Sequence, residues 1–490
     1  SNIDVYCADF AMKKTILQNA TYLFISNFAV RLLTALATIL VARYLGTEQY
    51  GILSVGLAFG AVAGYFTDLG LTHTLIREGT KPNADIERLL GGALKLRLLF
   101  AACTTIVSVI LIHLLYKDPM LRNAVYYIVI PTVWGGALQG VGVAYFQMIE
   151  EMHYVAAIRI FSTVITAGFL LLGVLLQWPL YLLAIGYGMS SLIGGIVSTR
   201  LVMHRVPSIG GFHKGLLNNL MAFTLGGLLV MSIPQMSLLV LQRVTTLKEV
   251  GYFSAAYRIP GLLYQIPGTI AAAFYPRLFH LGAVNPNEHV KLSGRELKFM
   301  SIASGALVLP FAFYPDVVIK MLFGLDWVQG GSPVLAILAW VVVFQGINYP
   351  MADALTTKGF QSIRTGVLVI ATISGILAYI TLGSRLGAIG GAVAALIVEG
   401  VMFLGYTVFN SQGWQILKIG LPTSMIALFL TTLLTIILKY LSISHWIGIV
   451  SAPILYIFLV VVIDPEVKAE IKRSCITLSQ KLATIGKKDI

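Results

Sequence analysis

The sequence predicts an all-α polytopic membrane protein of about fourteen transmembrane helices, arranged as two parallel-repeat six-helix lobes followed by two C-terminal helices. Three observations predict it: the composition, the length of the apolar runs, and an internal echo at an offset of 200 residues.

Apolar residues make up 57% of the chain and charged residues 11%, with a mean hydropathy of +0.85. That leaves too little polar surface for a soluble protein. A spanning helix needs roughly 20 apolar residues, and such stretches lie at 16–41, 51–75, 88–115, 121–148, 153–176, 180–202, 217–242, 251–277, 296–314, 332–356, 363–382, 386–409, 419–440 and 444–463. These runs far exceed the roughly 10-residue alternating strands of an outer-membrane barrel, which are excluded as the main element.

The echo joins Arg43-Tyr44-Leu45-Gly46-Thr47-Glu48-Gln49-Tyr50-Gly51-Ile52-Leu53-Ser54 to Arg243-Val244-Thr245-Thr246-Leu247-Lys248-Glu249-Val250-Gly251-Tyr252-Phe253-Ser254, with Arg, Gly and Ser keeping their places. Both copies fall between the first and second spans of a six-span unit. Asn19 matches Asn219, and Ala184-Ile185-Gly186 reappears as Ala388-Ile389-Gly390 at the start of each sixth span. An even number of spans returns the second half to the orientation of the first, giving a parallel repeat about an axis along the membrane normal. Duplication of this kind inside a membrane points to a transporter.

The expected organisation is an added or disordered segment at 1–11 ahead of a natural-looking start at Met12-Lys13-Lys14, and an N-lobe at 12–203. A cytoplasmic linker follows at 204–216, a C-lobe at 217–410, two further spans within 411–463, and a basic cytoplasmic tail at 464–490 that reads as an amphipathic surface helix. No cleavable signal peptide is expected. About 23 of the 34 basic residues then fall on the cytoplasmic side and about eight outside. Both termini are placed in the cytoplasm. The net charge of +13 is therefore a topology signal with affinity for anionic membrane lipids, and no nucleic-acid partner is expected.

Catalysis has little support, because no loop exceeds about 20 residues and an external membrane enzyme needs a sizeable segment to build a site. His-Glu-x-x-His, phosphate-loop and Gly-x-Ser-x-Gly patterns are missing from the sequence. Cys7, Cys103 and Cys475 form neither a disulfide framework nor a metal-ligand spacing, so no metal and no cofactor are expected.

An arginine near the middle of a span costs roughly 2.5–3.5 kcal/mol on insertion scales and normally faces a wet cavity or a partner. Arg31 lies about 15 residues into the first span, about 22 Å along its axis, too deep to snorkel comfortably. Arg258 in the eighth span and Arg159 in the fifth lie roughly 10 Å deep, within snorkelling reach. Their guanidinium forks fit phosphate oxygens, and their different depths suit the path of an anion. Lys95 and Arg97, in the inner third of the third span, read as headgroup contacts.

Glu399 is the only acid the sequence puts near a span centre, where a carboxylate holds a proton, pairs with a cation or binds Na⁺, or is hydrogen-bonded within the bundle. Thr372, Ser374, Thr224 and Ser232 lie at similar depth and offer oxygen ligands, so Na⁺ or H⁺ coupling centres on Glu399, Thr372 and Ser374. Asp68 and Asp353, toward cytoplasmic span ends, are gating candidates. Gly56, Gly60 and Gly64, and Gly136 and Gly140, permit close helix approach, and Pro260, Pro267 and Pro276 permit a bend in the eighth span. Tyr22, Phe28, Tyr257, Tyr264 and Trp340 could stack on sugar rings, although aromatics in spans more often meet lipid or core.

Val41-Ala42-Arg43-Tyr44-Leu45-Gly46-Thr47-Glu48-Gln49-Tyr50-Gly51, then Phe66-Thr67-Asp68-Leu69-Gly70-Leu71 and Arg77-Glu78, resemble the polysaccharide-lipid flippases of the Wzx type, in the multidrug/oligosaccharidyl-lipid/polysaccharide exporter superfamily. The likeness extends over the whole chain through its span count and two halves. It implies two lobes around a basic central cavity that opens alternately to either side of a bacterial cytoplasmic (inner) membrane. It implies a cargo of oligosaccharide repeat units on undecaprenyl pyrophosphate, moved to the outer leaflet by a monomer working beside a glycan polymerase and glycosyltransferases. Related lipid II flippases carry cavity arginines in their first and eighth spans, which Arg31 and Arg258 match by span and depth. They also place a sodium site among the seventh, eleventh and twelfth spans, with acids other than Glu399. Two alternatives remain: a multidrug or metabolite antiporter of the same superfamily, and a membrane glycan polymerase or ligase.

Overall fold

The computed structural model describes residues 2–217, 220–441 and 445–470. Among them the chain is helical throughout: α1 (Asn2–Tyr65), α2 (Leu71–Gly79), α3 (Ile86–Leu115), α4 (Pro119–Met148), α5 (Met152–Leu175), α6 (Leu180–Arg205), α7 (Leu220–Val244), α8 (Leu247–Leu263), α9 (Gln265–Val284), α10 (Pro286–Phe313), α11 (Pro315–Leu322), α12 (Val328–Thr357), α13 (Gln361–Val408), α14 (Gly413–Gly420), α15 (Pro422–Tyr440) and α16 (His445–Ile463). Asn219, Cys475 and the tail beyond 470, with Lys472, Arg473, Lys481, Lys487 and Lys488, lie outside the described residues, as do the side chains of Cys7, Lys13, Lys14, Asn19, Thr224 and Ser232.

Among the described residues, ten helices are long and apolar enough to cross a membrane, so this is a multi-pass membrane protein. Two of the ten contain a break that divides them into two spans each. In α1 it is Gly46, at φ 76° and ψ 176°, and in α13 it is Gly387, at φ 59° and ψ −132°. Any Cβ would be strained at either φ, which is why each turn between spans holds a glycine. The eighth predicted span is also interrupted: α8 stops at Leu263 and α9 starts at Gln265. Pro267 has no N–H to give the carbonyl of Leu263, which explains the break at Tyr264. Local caps start other helices where the sequence supplies an acceptor. Asp85 accepts from Arg88 N at 3.1 Å, Asp118 from Met120 N at 3.1 Å, and Asn285 from Glu288 N at 3.2 Å. The cap at Asn285 puts the start of α10 ten residues ahead of the predicted ninth span at 296.

The chain forms two compact units: Ser1–Arg258 with Leu322–Gly330 and Ile376–Gly391, and Ile259–Met321 with Gly331–Gly375 and Ala392–Ile490. In the first unit, α4 and α6 pack most intimately. A Cβ on Gly135 or Gly142 would strike Ser191 or Ser198, and one on Gly188 or Gly195 would strike the α4 backbone. Thr199 and Ser198 donate to the carbonyls of Leu138 and Gln139, each at 3.1 Å. Gly56 and Gly60 pack against Ile128 of α4 as expected, whereas Gly64 and Gly136 meet nothing within 4 Å. Gly140 makes room for a charge instead: a Cβ there would collide with the Arg97 guanidinium.

Arg97 corrects the headgroup reading. It is 2% exposed, donates to Thr72 Oγ1 at 2.7 Å, and is ion-paired with Asp68, whose carboxylate also accepts from Thr72 Oγ1 at 2.6 Å. Lys95 is bonded to the Gly211 carbonyl at 3.2 Å.

The echoed segments meet in the same unit. A Cβ on Gly51 would strike the Leu247 carbonyl, one on Gly251 would strike the Thr47 carbonyl, and Ser54 Oγ lies 2.7 Å from Ser254 Oγ. At the 200-residue offset the two glycine contacts map onto each other and the serine contact onto itself, as two copies do across a local two-fold. Turns from other helix pairs gather here too. Tyr44 Oη donates to Trp178 O at 3.0 Å, Arg243 Nη1 to Leu115 O at 2.6 Å, and Ala388 N to Glu249 Oε2 at 2.8 Å beside the Gly387 break.

The second unit is built on α10 and α12, with a core that includes Leu297, Val308, Leu309, Ala339, Met351 and Tyr456. The start of the tail is fixed to α10: Lys298 Nζ lies 2.9 Å from Asp464 and 2.8 Å from Glu466, and Arg295 lies 2.6 Å from Glu466.

Candidate functional site

The first unit holds an open cavity of about 290 Å³ lined by Val30 and Thr34 of α1, Gln139 of α4, Arg159, Ser162, Thr163 and Thr166 of α5, and Tyr187 and Ser191 of α6. Its wall is polar because α5 carries Arg159, Ser162, Thr163 and Thr166 at intervals of three, four and seven residues, a single stripe on an otherwise apolar helix. Two of these hydroxyls are tied down. Thr163 Oγ1 donates to the Arg159 carbonyl at 2.9 Å and Thr166 Oγ1 to that of Ser162 at 2.9 Å. The guanidinium of Arg159 donates to Asn27 Oδ1 at 3.0 Å.

Asn27, Arg31 and Thr34 follow the same spacing on α1, so Arg31 stands on the flank that carries the Arg159 partner and a cavity residue. The exposed apolar stripe of that helix, Ile25, Phe28, Leu32, Leu36 and Leu40, runs down another side. Arg31 is exposed and makes no hydrogen bond or ion pair among the described residues.

Arg258 is held differently. Its Nε donates to Tyr50 Oη at 2.5 Å, and its guanidinium carbon lies 5.8 Å from the centre of the Tyr50 ring. Tyr50 is fully buried, with its ring 5.8 Å from that of Trp327 in an edge-on arrangement, so the arginine is braced by a fixed aromatic. The Arg258 charge reaches Tyr187 on the cavity wall. All three predicted arginines therefore belong to the unit that holds the cavity.

The polar stripe on α5, Asn27, Gln139, Tyr187 and Tyr50 went unread in the sequence, although the i, i+3, i+4, i+7 spacing was visible there. The aromatics considered for sugar stacking do not line this cavity. Tyr257 stacks on Phe253, Tyr264 on Tyr349 at 4.4 Å between centroids, and Trp340 meets Phe313 edge-on.

In the second unit Glu399 is buried and satisfied by α12. Asn348 Nδ2 donates to its Oε2 at 2.7 Å and to its backbone carbonyl at 3.0 Å, and Gln345 Nε2 to its Oε1 at 3.3 Å. Thr372 instead returns its hydroxyl to the Leu368 carbonyl at 2.7 Å, and neither it nor Ser374 bonds to Glu399. Nor is Glu399 alone. Glu296 of α10 is fully buried and faces Asp353 of α12. The gating candidates Asp68 and Asp353 thus find partners separately, each in its own unit.

The model of the polysaccharide biosynthesis protein family matches residues 16–281, more than half of the chain. The chain belongs to the polysaccharide biosynthesis protein family. The matched span contains the echoed pair of segments, the Asp68–Arg97 pair, and Arg31, Arg159 and Arg258 of this family member. No curated protein matches the chain. Among solved structures, it is similar to the lipid II flippase MurJ in its inward closed conformation, at 16% identity and a TM-score of 0.68 over 91% of this chain and 99% of that one. An inward-facing MATE multidrug resistance transporter matches at 14% identity and a TM-score of 0.58, over 79% of this chain and 95% of that one. The eukaryotic MATE transporter AtDTX14 matches at 19% and 0.53, over 83% and 99%. The family member thus has the fold shared by lipid flippases and multidrug transporters.

Proposed function

We propose that the chain is a flippase that moves undecaprenyl-pyrophosphate-linked oligosaccharide repeat units from the cytoplasmic to the outer leaflet of a bacterial inner membrane, with both termini in the cytoplasm. The observation that carries this reading is the cavity of the first unit, where Arg159 stands among Gln139, Ser162, Thr163, Thr166 and Ser191. Guanidinium groups suit pyrophosphate oxygens, and a wall of hydroxyl and amide groups suits sugar hydroxyls. Arg31, which makes no ion pair among the described residues and shares a flank of α1 with Asn27, supplies a second cation, and Arg258 a third. A multidrug cavity for organic cations would be repelled by the same charges.

Membership in a polysaccharide biosynthesis family agrees with such a cargo. Alternating access requires that the seam at Gly51 and Gly251 part when the cavity opens to that face. Ion coupling belongs to the same proposal, with Glu399 and its α12 amides in the second unit biasing the two conformations.

The test is complementation of flippase-deficient strains with defined lipid-linked glycans, paired with fluorescent-lipid translocation in proteoliposomes. Restored surface glycan together with translocation of pyrophosphate-linked cargo is expected. Export of cationic drugs without either activity would overturn the reading.

A further inference from the structure

Glu296 is 0% exposed on α10, and neither of its carboxyl oxygens meets a hydrogen-bond donor among the described residues. The carboxyl of Asp353 on α12 faces it within hydrogen-bonding reach. The cations beside Glu296 in sequence are spent elsewhere, since Arg295 and Lys298 pair with Glu466 and Asp464. Arg364 on α13 acts on Asp353 through its charge, but its Nη1 donates to Thr356 Oγ1 at 2.9 Å, and it forms no ion pair with either acid among the described residues. The remaining titratable groups that face the pair are Tyr264, between α8 and α9, and Tyr275 of α9. The other helices packed on α10, namely α14, α15 and α16, add no charge that acts on either acid.

Two carboxylates so placed oppose one another. Like charges in contact repel strongly where water is excluded. One proton between them removes that repulsion and turns two acceptors into an O–H···O⁻ bond. A second observation extends the site. Among the described residues, His289 Nδ1, Ser293 Oγ, both Glu296 oxygens and Ser304 Oγ are buried without partners on one face of α10. Gln345 Oε1 and Asn348 Oδ1 are likewise unpartnered on α12, on the very amides that hold Glu399. Buried polar atoms without partners are uncommon in folded proteins, and a lane of them beside two facing acids suits a mobile hydrogen-bonded guest.

We propose that Glu296 and Asp353 form a proton-binding site in which one proton is shared between the two carboxyls and exchanged along the polar face of α10. The use of that proton to drive transport rests on the flippase reading above, whereas the site does not.

Infrared spectra of the purified full-length chain in lipid nanodiscs test the site directly. At neutral pH a protonated carboxylic-acid carbonyl band is expected, lost in both Glu296→Gln and Asp353→Asn and retained in Glu288→Gln, whose residue pairs with Lys291 on the surface. Added sodium at constant pH should leave the band in place. A band indifferent to both substitutions, or one removed by sodium in a concentration-dependent way, overturns the proposal, the latter in favour of a cation site. Should either variant fail to fold, the unsubstituted chain still decides: a membrane-permeant carbodiimide, which adds to protonated carboxyls, should label Glu296 or Asp353, and labelling of neither refutes the shared proton. In proteoliposomes Glu296→Gln should lose its response to an imposed proton gradient. A band that disappears in the variant beside an unchanged gradient response would refute the role in transport and leave the site standing.

Discussion

Ser54 Oγ and Ser254 Oγ, 200 residues apart in the chain, share a hydrogen bond of 2.7 Å. The contact lies where Gly51 and Gly251 admit each other's partner backbones, so a repeat faintly visible in sequence is visible in space as a seam. Converting both serines to cysteine should permit an oxidant to lock the seam. Translocation is expected to stop on oxidation and to recover on reduction, read by gel shift and transport on the same sample. Full transport by the crosslinked protein would mean that the seam never opens. Gly51→Ala adds a methyl group against a carbonyl, an overpacking that costs typically 1–3 kcal/mol, and should disfavour the closed seam without a crosslink.

Arg31 and Arg258 should differ in how they fail. Replacing Arg31 by Ala removes an exposed cation that has no partner among the described residues, and should abolish glycan export with little change in thermal stability. Arg258→Ala should also abolish export but lower stability as well, since it strips the buried Tyr50 hydroxyl of its partner. Tyr50→Phe keeps the ring and loses one hydrogen bond to a charged group, about 1.5–3 kcal/mol, and should reduce transport part-way. Full export by the Arg31→Ala, Arg258→Ala double variant would remove these arginines from the cargo path.

Arg97 is a stability determinant by its surroundings. Truncation to Ala leaves Asp68 without its cation and opens space beside Gly140, and breaking a buried pair in this way costs about 3–5 kcal/mol. Denaturant unfolding should register that loss. Arg97→Met with Asp68→Asn should recover much of it, and equal stability of the single and double variants would count against the pair.

The ion pairs that fix the segment after α16 give a pH dependence with a definite sign. Hydrogen bonds from Lys298 hold the Glu466 carboxyl below its ordinary value. Burial pushes Asp464 up, but bonds from Lys298 and Thr423 outweigh it and leave that carboxyl low as well. A depressed carboxylate contributes stability at pH above its unfolded value and loses it as pH falls through the folded one. Hydrogen-exchange protection at 464–470, taken relative to the intrinsic rate at each pH, should therefore be high at neutral pH and fall below about pH 4. In Lys298→Met it should already be low at pH 7, and an unchanged profile in that variant would assign the docking to apolar contacts.

The run of apolar spans was legible because backbone desolvation in lipid leaves the sequence few choices, whereas the turn at Gly387 fell inside the predicted twelfth span. Partner assignment was not legible, and Glu296 shows why. The stretch Gly294-Arg295-Glu296-Leu297-Lys298 reads as a polar span end because both signs of charge alternate there. Only the earlier start of α10, set by Asn285 and Pro286, puts the cluster inside a helix, with Arg295 and Lys298 bonded to the tail and Glu296 turned inward. Arg97 was misread for a related reason: depth along a span can be counted from sequence, but the Gly140 notch that lets a guanidinium reach Asp68 requires two helices in register. Arg159, which lines the cavity, could be singled out from sequence because intramembrane charge is costly whichever neighbour it meets.

Glu399 carries the last prediction. Two amide groups of α12 donate to its carboxylate, so any change in its charge alters how α13 is held against α12. If the carboxylate takes up H⁺ or Na⁺ more tightly in one conformation than in the other, a gradient shifts the population between them, whereas equal affinity shifts nothing. Glu399→Gln keeps the shape and removes the titration. Asn348 and Gln345 each retain an unpartnered amide oxygen, and by turning over they can accept from the new amide, so the variant should fold. Transport in proteoliposomes with imposed proton and sodium gradients applied separately should then lose its dependence on one of them, with binding of the lipid-linked glycan nearly intact. Unchanged gradient dependence would reduce Glu399 to an anchor between two helices and leave coupling to the acids of α10 and α12.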